Sequence, residues 1–304
     1  MPRARNFSSL LSRVARGAAC LALAGCAEVL DIPDSPELVG RWSCLNTVVA
    51  PLTPLVSFAT VQVRACDFFA TDCSTPVTGL EARLCRKDDA TCAEPLLEPF
   101  TDAGGVLTFS VPTDAAGFDG YLEVSSATEL CTNPSFGDDA ASLCDLFPEC
   151  HPDAPDERCA IPIYARARLF FNPPVVSDVV EPIWLRLVPA ATIPTLARAA
   201  GAGTLDPTTG NLFITTVDCE GAPASGVRYT LGEYEDQVTQ LYMDGTTPSD
   251  VSRETDDSGL GGFLGVPPGP AEVYGYNDRY EKVGEIGVQT APFTISYALI
   301  VPSP

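Results

Sequence analysis

TDAGGVLTF at Thr101–Phe109 and TDDSGLGGF at Thr255–Phe263 are the two stretches on which the fold turns. In each, the Asp side chain is suited to bond amides of its own turn, and the last Gly of T-D-x-x-G is suited to a positive φ. The motif therefore predicts a hairpin turn that feeds a strand. Each stretch runs on to a Val-Pro, at Val111-Pro112 and Val266-Pro267. Upstream, Asp72-Cys73 through Gly79-Leu80 parallels Asp218-Cys219 through Gly226-Val227. The echo predicts two copies of one β-fold.

Period-two alternation extends this reading along the chain. Val61, Val63 and Ala65 alternate with Gln62 and Arg64, and Ile163, Ala165, Ala167, Leu169 and Phe171 flank Arg166 and Arg168. Ile183, Leu185 and Leu187 alternate with Trp184 and Arg186, and Val227, Tyr229 and Leu231 with Arg228 and Thr230. These are half-buried strands with one polar face. One helix is expected, Thr192–Ala200, with Thr192 as cap, Pro194 in the first turn and Gly201 closing the end. The expected fold is mainly β: a β-sandwich domain over 41–189, a helical linker over 190–202 and a second sandwich over 203–304.

The second domain resembles the carboxypeptidase regulatory-like family, a transthyretin-like sandwich related in outline to Ig-like folds. Gly226-Val227, the turn from Thr255 to Phe263, and Val266-Pro267-Pro268-Gly269 carry that resemblance. It covers about the last third of the chain. The first domain lacks the P-P-G and holds a long cysteine-rich insertion. The resemblance implies accessory, noncatalytic, extracytoplasmic modules, and fold alone does not set function.

The first 25 residues pair a basic front, Arg3 to Arg16, with the short apolar run Gly17–Gly25. That is the layout of a signal peptide. Nine helical residues rise only about 14 Å, roughly half a bilayer core, so the run is too short for a spanning helix. Leu23-Ala24-Gly25-Cys26 resembles the lipobox of bacterial lipoproteins. The resemblance implies cleavage before Cys26, lipidation of its thiol with palmitate-type chains, and, with Ala rather than Asp at position 27, the outer membrane. Residues 26–40 then read as a tether, since Ala27–Gly40 holds two Pro and four acids without a helical or alternating period.

Beyond the signal, 14 basic residues face 40 acidic ones, a net charge of −26. Nucleic acid is thereby a poor partner, and a polybasic grip on anionic lipid is absent. The membrane partner is expected through the N-terminal lipid anchor, with a protein or polysaccharide of the envelope as a further partner. Ten cysteines remain after Cys20 and Cys26: Cys44, Cys66, Cys73, Cys85, Cys92, Cys131, Cys144, Cys150, Cys159 and Cys219. In an exported chain they read as up to five disulfides, with Cys66–Cys73 and Cys85–Cys92 plausible local pairs. A zinc site around His151 is disfavoured because no C-x-x-C knuckle is present.

His151 is the sole histidine, which excludes multi-His metal centres and limits any Ser-His-Asp triad or Cys-His dyad to one built on that residue. No phosphate-binding glycine loop appears. No catalytic residue, metal or cofactor is therefore assigned. Paired carboxylates for glycoside hydrolysis are an enzymatic alternative that counting does not remove, and they require an acid-lined cleft. Asp138-Asp139 and Asp256-Asp257 lack EF-hand spacing and read as turn acids. Seven of nine Tyr lie between Tyr229 and Tyr297. Tyr274 and Tyr276 share a strand face beside Tyr280, a candidate sugar-stacking surface, against which stands the plainer reading of sandwich-rim tyrosines.

Overall fold

The computed structural model describes residues 41–45, 53–54, 56–70, 73–130, 160–245 and 247–303. Of these, Arg41–Ser43 fall in a separate unit, and everything from Cys44 onward belongs to one compact unit. Cys26, Cys131, Cys144, Cys150, Cys159, His151 and Asp138-Asp139 lie outside the described residues.

The fold is mainly β. The N-terminal copy contains β1 (Phe58–Asp67), β2 (Glu81–Arg86), β3 (Val106–Pro112), β4 (Gly120–Ser125), β7 (Arg166–Phe170) and β8 (Ile183–Leu187). A small ribbon, β5 (Thr128–Leu130) with β6 (Ala160–Pro162), flanks the cysteine-rich insertion. The C-terminal copy contains β9 (Gly210–Thr216), β10 (Arg228–Thr230), β13 (Leu260–Val266), β14 (Gly269–Tyr276), β15 (Lys282–Thr290) and β16 (Thr294–Ile300). It adds an edge hairpin, β11 (Thr239–Asp244) and β12 (Thr247–Ser249).

The strand pairings of the two copies correspond one for one. β1 lies antiparallel to β3 and parallel to β8, as β9 lies antiparallel to β13 and parallel to β16. β4 lies between β2 and β7, as β14 lies between β10 and β15. The duplicated turn explains the shared motif. Thr101 Oγ1 accepts the Leu80 amide at 3.0 Å, and Thr255 Oγ1 accepts the Val227 amide at 3.0 Å. Asp102 Oδ1 accepts the Gly104 amide at 2.8 Å, and Asp256 Oδ1 accepts the Ser258 amide at 3.0 Å. Gly105 and Gly259 stand at φ +71° and +65°, the left-handed region that glycine enters without a steric penalty. A Cβ on Gly259 would meet Thr216 O at 2.5 Å, and one on Gly105 would meet Ala65 O at 2.9 Å.

Each copy is a two-layer sandwich. In the first, Val61, Val63, Leu107, Leu185 and Leu187 from one sheet meet Leu84, Leu122, Val124 and Ala167 from the other. Burying side chains of this size contributes roughly 1.5–3 kcal/mol each. In the second, Tyr229 crosses the core, sharing a 2.8 Å hydrogen bond with Thr216 Oγ1 and stacking on Tyr242 at 5.8 Å. β16 pairs with β9 on one side and with β7 on the other, so one eight-stranded sheet runs through both copies in the order β12-β11-β13-β9-β16-β7-β4-β2. The sheet β3-β1-β8 packs on one of its faces. The sheet β10-β14-β15 packs on the other, through contacts such as Ser296 Oγ donating to Gln289 O at 3.1 Å.

The linker interval 190–202 holds a 3₁₀ turn, Ala190–Thr192, and α1, Ile193–Ala199. Pro194 sits in its first turn, and Gly201 closes it at φ +76°. Thr192 does not cap with its side chain, because its hydroxyl donates instead to Pro189 O at 2.8 Å. Ile193, Leu196, Ala197 and Ala200 of this segment pack on Phe213, Leu241, Leu264 and Ile295 of the long sheet.

Candidate functional site

The outward face of the β2-β4-β7 sheet and that of the β10-β14-β15 sheet are the same face of the repeated unit. With Leu80 matched to Val227, Glu81 and Arg83 correspond to Arg228 and Thr230. Register then matches Ser125 to Tyr276 and Glu123 to Tyr274. On the next strand, Arg168 corresponds to Glu285 and Arg166 to Lys282.

In the C-terminal copy this face carries Tyr274 and Tyr276, both half-buried, on alternate positions of β14. Tyr274 donates to Glu272 Oε2 at 2.6 Å, and Lys282 Nζ lies 5.8 Å from its ring centre. The hydrogen bond to the Glu272 carboxylate is the main cause that raises the phenol pKa. Tyr280, 71% exposed, donates its ring face to the Arg228 guanidinium at 5.3 Å and accepts from its Nη1 at 2.8 Å. The result is a solvent-facing band in which cations lie over aromatic rings.

In the N-terminal copy the face is polar and concave. The segment after β2 turns back and lies along its free edge, placing Phe100 beside Glu81 and Leu97 beside Leu84. Because strand residues alternate sides, two cross-strand rows face outward. One reads Phe100, Glu81, Ser125, Arg166; the other reads Glu98, Arg83, Glu123, Arg168. They enclose a cleft of about 330 Å³ whose lining includes all of these residues except Arg168.

Glu123 anchors its floor. It is 4% exposed and ion-paired through one oxygen with Arg83, while its other oxygen accepts from Arg168 Nε at 2.9 Å and Nη2 at 2.8 Å. Arg168 is 3% exposed, and its guanidinium lies 5.1 Å from the Tyr121 ring centre. Its Nη1 has no hydrogen-bond acceptor, and the π face below supplies the electrostatic partner. Tyr121 in turn donates to Asp89 O at 2.6 Å. The Asp89 carboxylate accepts the amides of Glu94 and Ala93, both at 3.0 Å, and these bonds hold its pKa below the ordinary carboxylate range. The acid-lined cleft that an enzymatic reading requires is thus present. Each oxygen of Glu123, however, already accepts from a guanidinium, one from Arg83 and the other from Arg168.

A second depression, of about 310 Å³, is mainly apolar around Phe171, Pro173, Val175 and Val179. Two of its polar side chains are engaged, Asn172 with Leu299 O at 2.8 Å and Asp178 with the Thr60 amide at 2.6 Å.

Three disulfides join the described cysteines: Cys44–Cys219, Cys66–Cys73 and Cys85–Cys92. The two local pairs stand where their spacing suggested, each closing a loop at a strand end. Cys44–Cys219 was not legible in the sequence. Among the described residues no group of three or more His, Cys, Asp or Glu is placed to hold a metal ion. None of their helices is long and apolar enough to cross a membrane.

No family model and no curated protein matches this chain. Among solved structures, a streptococcal ancillary pilin aligns over 81% of this chain and 68% of its own, at 12% identity and a TM-score of 0.21. The C-terminal fragment of the pilus adhesin SpaC from Lactobacillus rhamnosus GG aligns over 81% and 98%, at 10% identity and a TM-score of 0.16. Superpositions this loose fix neither topology nor function.

Proposed function

We propose that the chain is an exported, lipid-anchored component of the bacterial outer membrane, held through Cys26, whose duplicated sandwich is a noncatalytic binding or structural module of the carboxypeptidase regulatory-like kind. The observation that carries the exported part is Cys44–Cys219, a bond between cysteines 175 residues apart. Structural disulfides of this reach persist in oxidising compartments and are rare in the cytosol.

Intact mass and membrane partitioning of the native protein beside Cys26→Ser, both made in a cell that processes lipoproteins, test the reading. Acyl mass, an N-terminus at Cys26 and membrane binding in the native form alone are expected. Two soluble, unacylated proteins would remove the anchor.

A second reading makes the tyrosine face a carbohydrate-binding surface. Favouring it is the placement of Tyr274 and Tyr276 on one outward side of β14 with Tyr280 nearby.

A further inference from the structure

We propose that the cleft on the N-terminal copy, formed by the rows Phe100-Glu81-Ser125-Arg166 and Glu98-Arg83-Glu123, is a binding site for an uncharged oligosaccharide. The proposal deepens the reading of the chain as a binding module and assigns that role to a face bearing none of the tyrosines singled out by sequence.

The argument is one of chemical matching. Opposite charges alternate along the second row, and within the cleft Arg83 and Arg166 stand against Glu81, Glu98 and Glu123. An anion gains from the arginines what it loses to the carboxylates, and a cation meets the reverse. A hydroxyl group both donates and accepts, so a polyol draws on both kinds of lining at once. Among the described residues the side chains of Glu81, Glu98 and Arg166 have no ion-pair or hydrogen-bond partner, so their charged groups are available. Arg83 and Glu123 are, by contrast, pinned to each other, which pre-orients the planar groups at the floor.

Phe100 supplies what the polar groups lack. It is 67% exposed at the end of the first row, offering an apolar ring face of the type on which the C–H side of a sugar ring packs. The volume, about 330 Å³, lies at the lower end of small-ligand sites. It suits a short stretch of a chain that continues beyond the cleft.

The test is calorimetric titration of the full lipidated chain, in a non-glycosidic detergent, with neutral gluco-, manno- and N-acetylglucosamine oligosaccharides, and with a Lys-Glu dipeptide as the zwitterionic rival. At least one oligosaccharide is expected to bind, with affinity lowered tenfold or more by Phe100→Ala and by Arg166→Ala. Both side chains are exposed, so the fold is spared, and circular dichroism checks that it is. Val180→Ala, at a residue 89% exposed and outside both the cleft and the tyrosine face, is expected to leave this binding unchanged. No oligosaccharide binding, binding indifferent to the two cleft variants, or binding of the dipeptide alone would each overturn the proposal. Release of new reducing ends from a bound oligosaccharide would uphold the cleft as a saccharide site while removing the noncatalytic reading. Loss of membrane attachment in Cys26→Ser with sugar binding intact separates the anchor from the site.

Discussion

Replacing Gly259 with Ala is a sharp test of how the duplicated turn is built, because a neighbouring glycine provides the control. Gly259 and Gly226 both hold positive φ, +65° and +77°. A Cβ at Gly226 would meet nothing within 4 Å, whereas one at Gly259 would stand 2.5 Å from Thr216 O and 2.9 Å from the Ala224 amide nitrogen. Those two atoms form a hydrogen bond with each other, at 2.9 Å, so the new methyl would be driven into it. Gly226→Ala therefore costs the left-handed conformation alone, about 1–2 kcal/mol. Gly259→Ala adds the displacement of a backbone hydrogen bond inside the sandwich, about 1–3 kcal/mol for the group left unsatisfied. For a unit of this size each kcal/mol moves the melting temperature by roughly 2–4 °C, so Gly259→Ala is expected to melt about 2–12 °C below Gly226→Ala. Thermal unfolding followed by far-ultraviolet circular dichroism under non-reducing conditions reads the difference. Equal melting temperatures for the two variants would refute the assignment of Gly259 to close backbone approach.

The same structure orders further perturbations. Removing Cys44–Cys219 by paired Cys→Ala changes is expected to cost about 5 kcal/mol in urea unfolding, against about 2.5 kcal/mol for the Cys66–Cys73 pair, because loop entropy grows with the closed loop; the reverse order would mean that native-state strain dominates. Glu123→Ala leaves Arg168 buried without a carboxylate and is expected to cost about 3–5 kcal/mol. Arg83→Ala, which removes a half-exposed partner and leaves the Glu123–Arg168 pair intact, is expected to cost about 1 kcal/mol or less by the same assay. Burial raises the phenol pKa of Tyr229 and Tyr297. The unfolded chain ionises near the ordinary value of about 10, so their stabilising contribution is intact below that pH and declines above it. The urea midpoint is accordingly expected to fall between about pH 9 and pH 11, with a shallower fall in Tyr229→Phe with Tyr297→Phe; an unchanged slope would show that other groups set it.

Much of the fold was legible because its determinants are local. The Thr, Asp and Gly of each T-D-x-x-G act within one turn, and the alternation around Val61 or Val227 needs only the pleat. The weld between copies was not legible. β16 inserts in parallel between β9 and β7, and parallel pairing over long separations leaves no local signature in residue type. Alternation placed Arg166 and Arg168 together on a polar face. It had no means of showing that Arg168 would be covered while Arg166 stays open, since the cover comes from a different part of the chain. The tyrosine face was found because aromatic residues stand out. Its counterpart was missed because Glu123 and Ser125, within GYLEVS, look like any polar strand positions until register sets them beside Arg83, Glu98 and Phe100.

The comparison between copies separates what the fold requires from what it leaves free. Inside, volume is exchanged in compensation: where the first copy has Ala82 and Leu107, the second has Tyr229 and Gly261. A Cβ on Gly261 would stand 2.8 Å from the Tyr229 ring, so the large residue in β10 demands the small one in β13. Close packing enforces that trade, because either residue alone would overpack the layer or leave a void. Outside, no such compensation links Arg83, Glu123 and Arg168 to Thr230, Tyr274 and Glu285. Nothing in the sandwich requires a buried ion pair in one copy and a ring under a lysine in the other. A buried ion pair is also weak evidence for stability, since well-packed apolar residues often serve as well. The outward faces are therefore where the two copies diverge without the volume compensation that ties their cores together.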